Sequence, residues 1–351
     1  MLISGLGREG DVKEQQASPD RITQSILPAL KTYSGSSIAV TGCHATRSSR
    51  ESCEYDLLVV GEELLGAKSI RVKNLYADLI FVREKDIRQV SDPELAVALS
   101  TLVPLRDSEW ALATASSQAK KSLKDSSARA SKNRLSSALK ALGRVDENFS
   151  EGKLEDADFW LLSAGYDFSL SILYSGGTIA SPSHLLSQMK KGSKRPHSRF
   201  KEWADSVGLP LASRETSENR LGGLMVIYDI LRTVELDGSL ARPLARYRSK
   251  EAEEIVRRKA GYLLDTLLST ESFAYLGYEV VRTIVDLLRY QASKVGREPI
   301  YQNIIESLTE GKDRLLSEQV IRSLGLVRRK ETLMASSQAL RESIGQQARG
   351  I

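Results

Sequence analysis

Apolar residues in this chain follow two different spacings, and the change falls near Trp110. Before that point the runs are short. RITQSILPALKTY, preceded by Asp20, places Ile22, Ile26, Leu27 and Leu30 along one side of a short helix capped by an acid. Residues 36–42, SSIAVTG, form a β-branched run closed by a glycine, which predicts a strand. YDLLVV, residues 55–60, is apolar almost throughout and predicts a strand buried on both faces. SIRVKNLY (69–76) alternates weakly, ADLIFV (77–82) predicts a further strand, and residues 92–107 read as a helix running into a short strand at 102–105.

From Trp110 onward the strand-like alternation is gone. Residues 108–145 are rich in Ala, Lys and Leu, and residues 154–174 form an almost continuously apolar helix suited to the centre of a helical core. SPSHLLSQMKK and RPHSRFKEWADSV are each helix-length, and residues 251–269 set Ile255, Val256, Leu263, Leu264 and Leu267 at helical spacing. Residues 271–295 repeat that pattern, three shorter helices follow, and there is no internal repeat of fixed period. The expected fold class is therefore α+β: a small mixed sheet followed by an all-α region. The expected division is a flexible N-terminal arm at 1–19, an α/β domain at 20–110, a helical bundle at 111–236 and a C-terminal helical region at 237–351.

Composition narrows the setting. Hydrophobic residues make up 41% and charged residues 27%, the balance of a folded globular chain, and no apolar run is long enough for a membrane span. The polar N-terminus lacks the apolar core of a secretory signal. Cys43 and Cys53 are too few and too close for a disulfide framework or a zinc site of the usual kind, so a cytoplasmic protein with reduced thiols is expected. The formal charge of +5 is small for 351 residues. It is concentrated in two runs, one with Lys190, Lys191, Lys194, Arg195, Arg199 and Lys201, the other with Arg242, Arg246, Arg248 and Lys250. Two readings of these runs stand side by side: solvated loop surface, or contacts with the phosphates of a nucleotide or RNA.

The candidate chemistry lies in VTGCHATRSSRESCEYDLLVV. Glu54 and Asp56 are two residues apart at the start of a strand, so they share a face while Tyr55 points the other way. Two neighbouring carboxylates repel unless a cation sits between them. A third acid, Asp78, lies inside the apolar run YADLIFV, where a lone carboxylate is costly to bury. If the two strands are neighbours, three carboxylates converge, which is what two Mg²⁺ ions bracketing an in-line phosphoryl displacement require. One ion would activate the attacking hydroxyl, with Asp78 accepting its proton, and the other would hold the triphosphate. Gly42 and the amides after it would approach the phosphates, and Arg47 and Arg50 would neutralise them.

These residues resemble the polymerase-β-like nucleotidyltransferases, whose pattern is Gly-Ser, about ten residues, Asp-x-Asp and a third Asp on a later strand. Here it reads Gly42-Cys43, ten intervening residues, Glu54-Tyr55-Asp56, then Asp78. The resemblance covers roughly residues 20–110. It implies that Glu54, Asp56 and Asp78 are metal ligands and catalytic carboxylates, and that Gly42, Cys43, Arg47 and Arg50 bind the nucleoside triphosphate. The helices after 110 are similar to the partner domains of minimal and aminoglycoside nucleotidyltransferases. Two positions depart from the pattern. Cys43 replaces a serine, a weaker hydrogen-bonding group, and Glu54 replaces an aspartate, one methylene longer.

The implied activity is Mg²⁺-dependent transfer of a nucleoside monophosphate from a nucleoside triphosphate to a hydroxyl of a protein, an RNA end or a small molecule. The rival is a catalytically inactive nucleotide- or RNA-binding protein that retains the fold, and a purely structural N-terminal unit is a third reading. No membrane partner is expected, and the apolar helices at 255–290 would close one core or a homodimer. Among other polar residues, His44 reads as a surface or hydrogen-bonded side chain. His184 and His197 do not make a metal pair, Asp167 pairs with a neighbouring base or faces the cleft, and Phe159-Trp160 pack in the core.

Overall fold

The computed structural model describes residues 25–61, 66–192, 198–233, 244, 246–295, 320–326 and 328–350. The expected arm at 1–19, Asp20 and Ile22 of the first helix, and Lys194, Arg195, His197 and Arg242 lie outside the described residues. So do most of the 237–249 division and residues 296–319, part of the stretch after 295 where three shorter helices are expected.

Strands β1 (Ile38–Thr41), β2 (Tyr55–Val60), β3 (Gly66–Val72), β4 (Leu75–Val82) and β5 (Val103–Arg106) form one mixed sheet, ordered β3-β4-β2-β1-β5. β1 is antiparallel to β2 and β5, β3 and β4 are an antiparallel hairpin, and β4 returns parallel to β2. The weakly alternating run at 69–76 is split by the hairpin turn, where Lys73 takes φ +58°.

Period-two alternation gives each strand two apolar faces. Ile38, Val40, Leu57, Val59, Leu79 and Phe81 pack with Ile26 and Leu30 on one of them. That side is covered by a 3₁₀ run, Leu27–Tyr33, where the sequence predicts an α-helix. Pro28 disfavours the α conformation at the residue before it, and the run is interrupted at Leu30. On the other face Ala39, Leu58 and Val60 meet Ile87, Leu99 and Leu112. These come from helices α2 (Glu84–Arg88), α3 (Pro93–Thr101) and α4 (Ala111–Lys121); α1 is the single turn Gly42–Ala45 after β1. The start of α3 is fixed by Asp92, whose carboxylate accepts the Glu94 amide at 2.9 Å.

The helical region includes α5 (Leu123–Ser150), α6 (Leu154–Ser175), α7 (Leu185–Gly192), α8 (Ser198–Ser206), α9 (Arg214–Thr233), α10 (Lys250–Asp265), α11 (Ser269–Val295) and α12 (Lys330–Ala348). The fold is α+β, as the spacing change predicts. α6 is buried almost all round, with Phe159, Leu161, Leu162, Tyr166 and Phe168 inside. This follows from its sequence, which has no polar stripe to turn to water. One apolar cluster draws on α5 through α12. Among the described residues, no helix is long and apolar enough to cross a membrane.

Asp158 on α6 is buried against Arg328, whose Nε donates to it at 2.7 Å and whose Nη1 donates to the carbonyls of Asp205 and Ser206. Replacing one partner strands the other charge in the core. Asp158→Ala is expected to lower stability by about 3–5 kcal/mol, read as a fall in denaturant midpoint. An unchanged midpoint would show that the pair does not hold α6 to the C-terminal segment.

Candidate active site

The sheet register aligns four polar side chains in one row. Ser69 on β3 is opposite Asp78 on β4, Asp78 is opposite Asp56 on β2, and Asp56 is opposite Thr41 on β1. Cross-strand partners share a face, so all four point the same way, and Glu54, two residues before Asp56, joins them. Glu54, Asp56 and Asp78 each offer a carboxylate oxygen, and the three oxygens lie within 4.8 Å of one another. The sequence expectation that three acids converge is met, by way of the parallel β2–β4 pairing.

Gly42 follows directly after β1 with φ +69°, and a Cβ there would sit 2.2 Å from an Asp56 carboxylate oxygen. Both the left-handed backbone and the close approach of the acid require glycine.

The row forms one wall of a cavity of about 970 Å³ whose other walls are helical. Arg246, from a 3₁₀ turn (Arg246–Arg248), reaches Asp78 at 3.4 Å, and the Ser69 hydroxyl donates to Asp78 at 2.6 Å. Lys259 on α10 donates to Glu54 at 2.6 Å, with both side chains buried. Lys140, Arg144, Arg282 and Arg289 add further positive charge to the lining. Arg134 also lines the cavity and pairs with Asp167 at 2.9 Å, so Asp167 does both things expected of it.

The electrostatics follow from three acids facing two close cations. Burial pushes the Asp56 carboxyl well above its usual range, the charges of Glu54 and Asp78 push it further, and Lys259 relieves part of this. Burial also raises Glu54, against the pull of Lys259. Burial disfavours the Lys259 ammonium, but the facing Glu54 carboxylate holds it charged well above the ordinary lysine value. Thr41 contributes a buried hydroxyl without a hydrogen-bond partner. The donors are hard carboxylate oxygens, under-neutralised and open to a cavity, and they fit a divalent cation such as Mg²⁺.

Cys43 lines the same cavity. Arg47 and Arg50, expected to meet phosphates, are placed elsewhere. Arg47 is exposed with φ +58°, and Arg50 binds Glu271 at 3.2 Å and the Ser183 carbonyl at 3.4 Å. The cationic lining comes instead from the helices. Arg246 stands in a basic run visible in the sequence, but nothing in the sequence of α10 marks Lys259, which reads as one more charge among Arg257, Arg258 and Lys259.

A second cluster lies behind the first. Cys43, Cys53 and His184 place their ligand atoms within 4.8 Å of one another, and all three are buried. Both thiols are free. Cys43 is hydrogen-bonded to Cys53, which holds the Cys53 thiol down to about 3 and drives Cys43 up. His44 stacks on Tyr55 at 4.0 Å, and burial lowers its pKa.

No protein-family model matches the chain, and no curated protein matches it. Among solved structures, a nucleotidyltransferase-like protein from Exiguobacterium sibiricum 255-15 superposes over 78% of this chain and 92% of that chain. The identity is 11% and the TM-score 0.33, a likeness too loose to carry an assignment.

Proposed function

We propose that the chain is a Mg²⁺-dependent nucleotidyltransferase that moves a nucleoside monophosphate from a nucleoside triphosphate to a hydroxyl. The observation that carries this reading is the row of Asp56 and Asp78 in direct register, joined by Glu54, facing a cavity lined by helical cations. Its volume of about 970 Å³ is at the upper end of small-molecule sites and has room for a nucleotide and an acceptor group.

Glu54, Asp56 and Asp78 would hold the metal, which when bound neutralises the phosphate charge and acidifies the attacking hydroxyl. The acceptor oxygen forms a bond to the α-phosphorus, the bond from that phosphorus to the β-phosphate oxygen breaks, and pyrophosphate leaves. Asp78, oriented by Ser69 and Arg246, is assigned the hydroxyl proton. Arg282 and Lys259 face the space where the triphosphate charge would lie.

One observation favours a second reading. Lys259 already neutralises Glu54, as a resident cation would in a non-catalytic nucleotide-binding protein. Calorimetric titration with ATP, CTP, GTP and UTP, with and without Mg²⁺, separates the two. Transfer requires binding that depends on Mg²⁺ and disappears in Asp56→Asn. Binding that is indifferent to Mg²⁺ and survives in the variant supports the second reading. A well-folded wild type that binds none of the four defeats both.

A further inference from the structure

We propose that Cys43, Cys53 and His184 form a zinc site distinct from the carboxylate cluster. The three ligand atoms already lie within 4.8 Å of one another, and Cys53 Sγ is 3.2 Å from His184 Nε2. Around a tetrahedral zinc, with Zn–S near 2.3 Å and Zn–N near 2.0 Å, neighbouring donors are about 3.5–3.8 Å apart. Bringing the trio from within 4.8 Å to that spacing takes shifts of about 1 Å. The donor chemistry also sorts the two clusters. Two thiolates and an imidazole suit zinc, whereas the carboxylates beside them suit a hard cation such as Mg²⁺.

The surroundings are those of a supported site. All three side chains are buried, at 5%, 6% and 4% exposure. The Arg50 amide donates to Cys53 Sγ at 3.2 Å, an outer hydrogen bond that orients and stabilises a thiolate ligand. The Arg50 guanidinium reaches round to the Ser183 carbonyl, next to His184, so one residue braces ligands from both parts of the chain. Cys43 opens onto the cavity, from which water completes a four-coordinate shell.

The site would act as a clamp. Its cysteines stand at the two ends of the segment joining β1 to β2, and its histidine belongs to the 3₁₀ turn Pro182–His184 of the helical region. Zinc would therefore fasten the loop that contains Gly42 to the helices across the cavity. This holds whether or not the carboxylates are catalytic.

The test uses the full chain, purified under reducing conditions, loaded with Zn²⁺, gel-filtered and assayed by elemental analysis. The expected result is one retained zinc per chain, with affinity reduced more than about 100-fold in Cys53→Ser and in His184→Gln. Each variant is checked for a cooperative melt. A readout independent of the variants is the wild type loaded with Co²⁺, in which a thiolate-to-cobalt charge-transfer band is expected. The proposal is overturned if folded, reduced wild type retains no zinc and shows no such band. Equal zinc retention by both variants overturns it too, as does a Cys43–Cys53 disulfide in metal-free protein that cannot be loaded after reduction.

Discussion

Asp56→Asn is expected to make the chain more stable at pH 8 in the presence of a chelator while abolishing Mg²⁺-dependent nucleotide binding. In the folded chain this carboxyl is raised well above 3.8 by burial and by Glu54 and Asp78. A group raised on folding contributes its stability below the unfolded value, near pH 4, and loses it as pH climbs through the folded value. At pH 8 the unfolded carboxyl ionises freely while the folded site opposes that charge, and asparagine removes that penalty. The side chain faces the cavity and keeps some contact with solvent, so the gain is set at about 1 kcal/mol, less than full burial would give. Thermal melts at pH 5 and pH 8 check the sign: the variant's advantage must grow with pH. Added Mg²⁺ should raise the melting point of the wild type and leave the variant unmoved, since only a ligand that binds the folded state stabilises it. A variant less stable than wild type at pH 8 without metal would mean that Asp56 is not electrostatically strained, and the metal assignment would lose its main physical support.

Lys259→Met should act in the opposite direction and more strongly. The lysine is the buried partner of Glu54, and it also relieves Asp56. Without it three carboxylates face Arg246 alone at close range. Removing one member of a buried pair costs about 3–5 kcal/mol when the other stays charged. Glu54 can escape by taking up a proton, so the loss is largest at pH 8 and smaller near pH 5. Glu54→Gln placed in the Met variant should recover at least half of the lost denaturant midpoint at pH 8, because the stranded charge is gone. Equal losses at both pH values, or no rescue by glutamine, would point to lost packing around Tyr275 instead.

The acids were legible because β-strand geometry is local. A period of two places Glu54 and Asp56 on one face, and an aspartate inside YADLIFV calls for either a site or a basic partner, of which Asp78 has Arg246. The change to all-helical structure after Trp110 was legible for a similar reason, since helical spacing repeats over tens of residues. The counter-ions were not. Lys259 meets Glu54 across 205 residues and His184 meets Cys53 across 131, and no local pattern encodes either contact. Arg50 shows the same limit from the other side. Its place in the loop suggested a phosphate ligand, yet Glu271 and the Ser183 carbonyl, both remote in sequence, take its guanidinium. The short 3₁₀ run at Leu27–Tyr33 differs from the expected α-helix through a single residue, Pro28, that hydrophobic spacing does not weigh.

Among the described residues, the cations that pair with the carboxylate row, Arg246 and Lys259, come from the helical region, and this limits how the protein can change over evolutionary time. A sheet that carried its own neutralising lysine would be free to pair with any helical companion and to be shuffled between architectures. Here a recombination event that replaced α10 would strip Glu54 of Lys259, and also free the Ser52 carbonyl from Arg258 and Tyr76 from Glu254. The hybrid would inherit three acids with a single close counter-charge and a face that no longer docks. Descendants of this chain should therefore keep the two halves together, drifting in the sequence of each but exchanging neither.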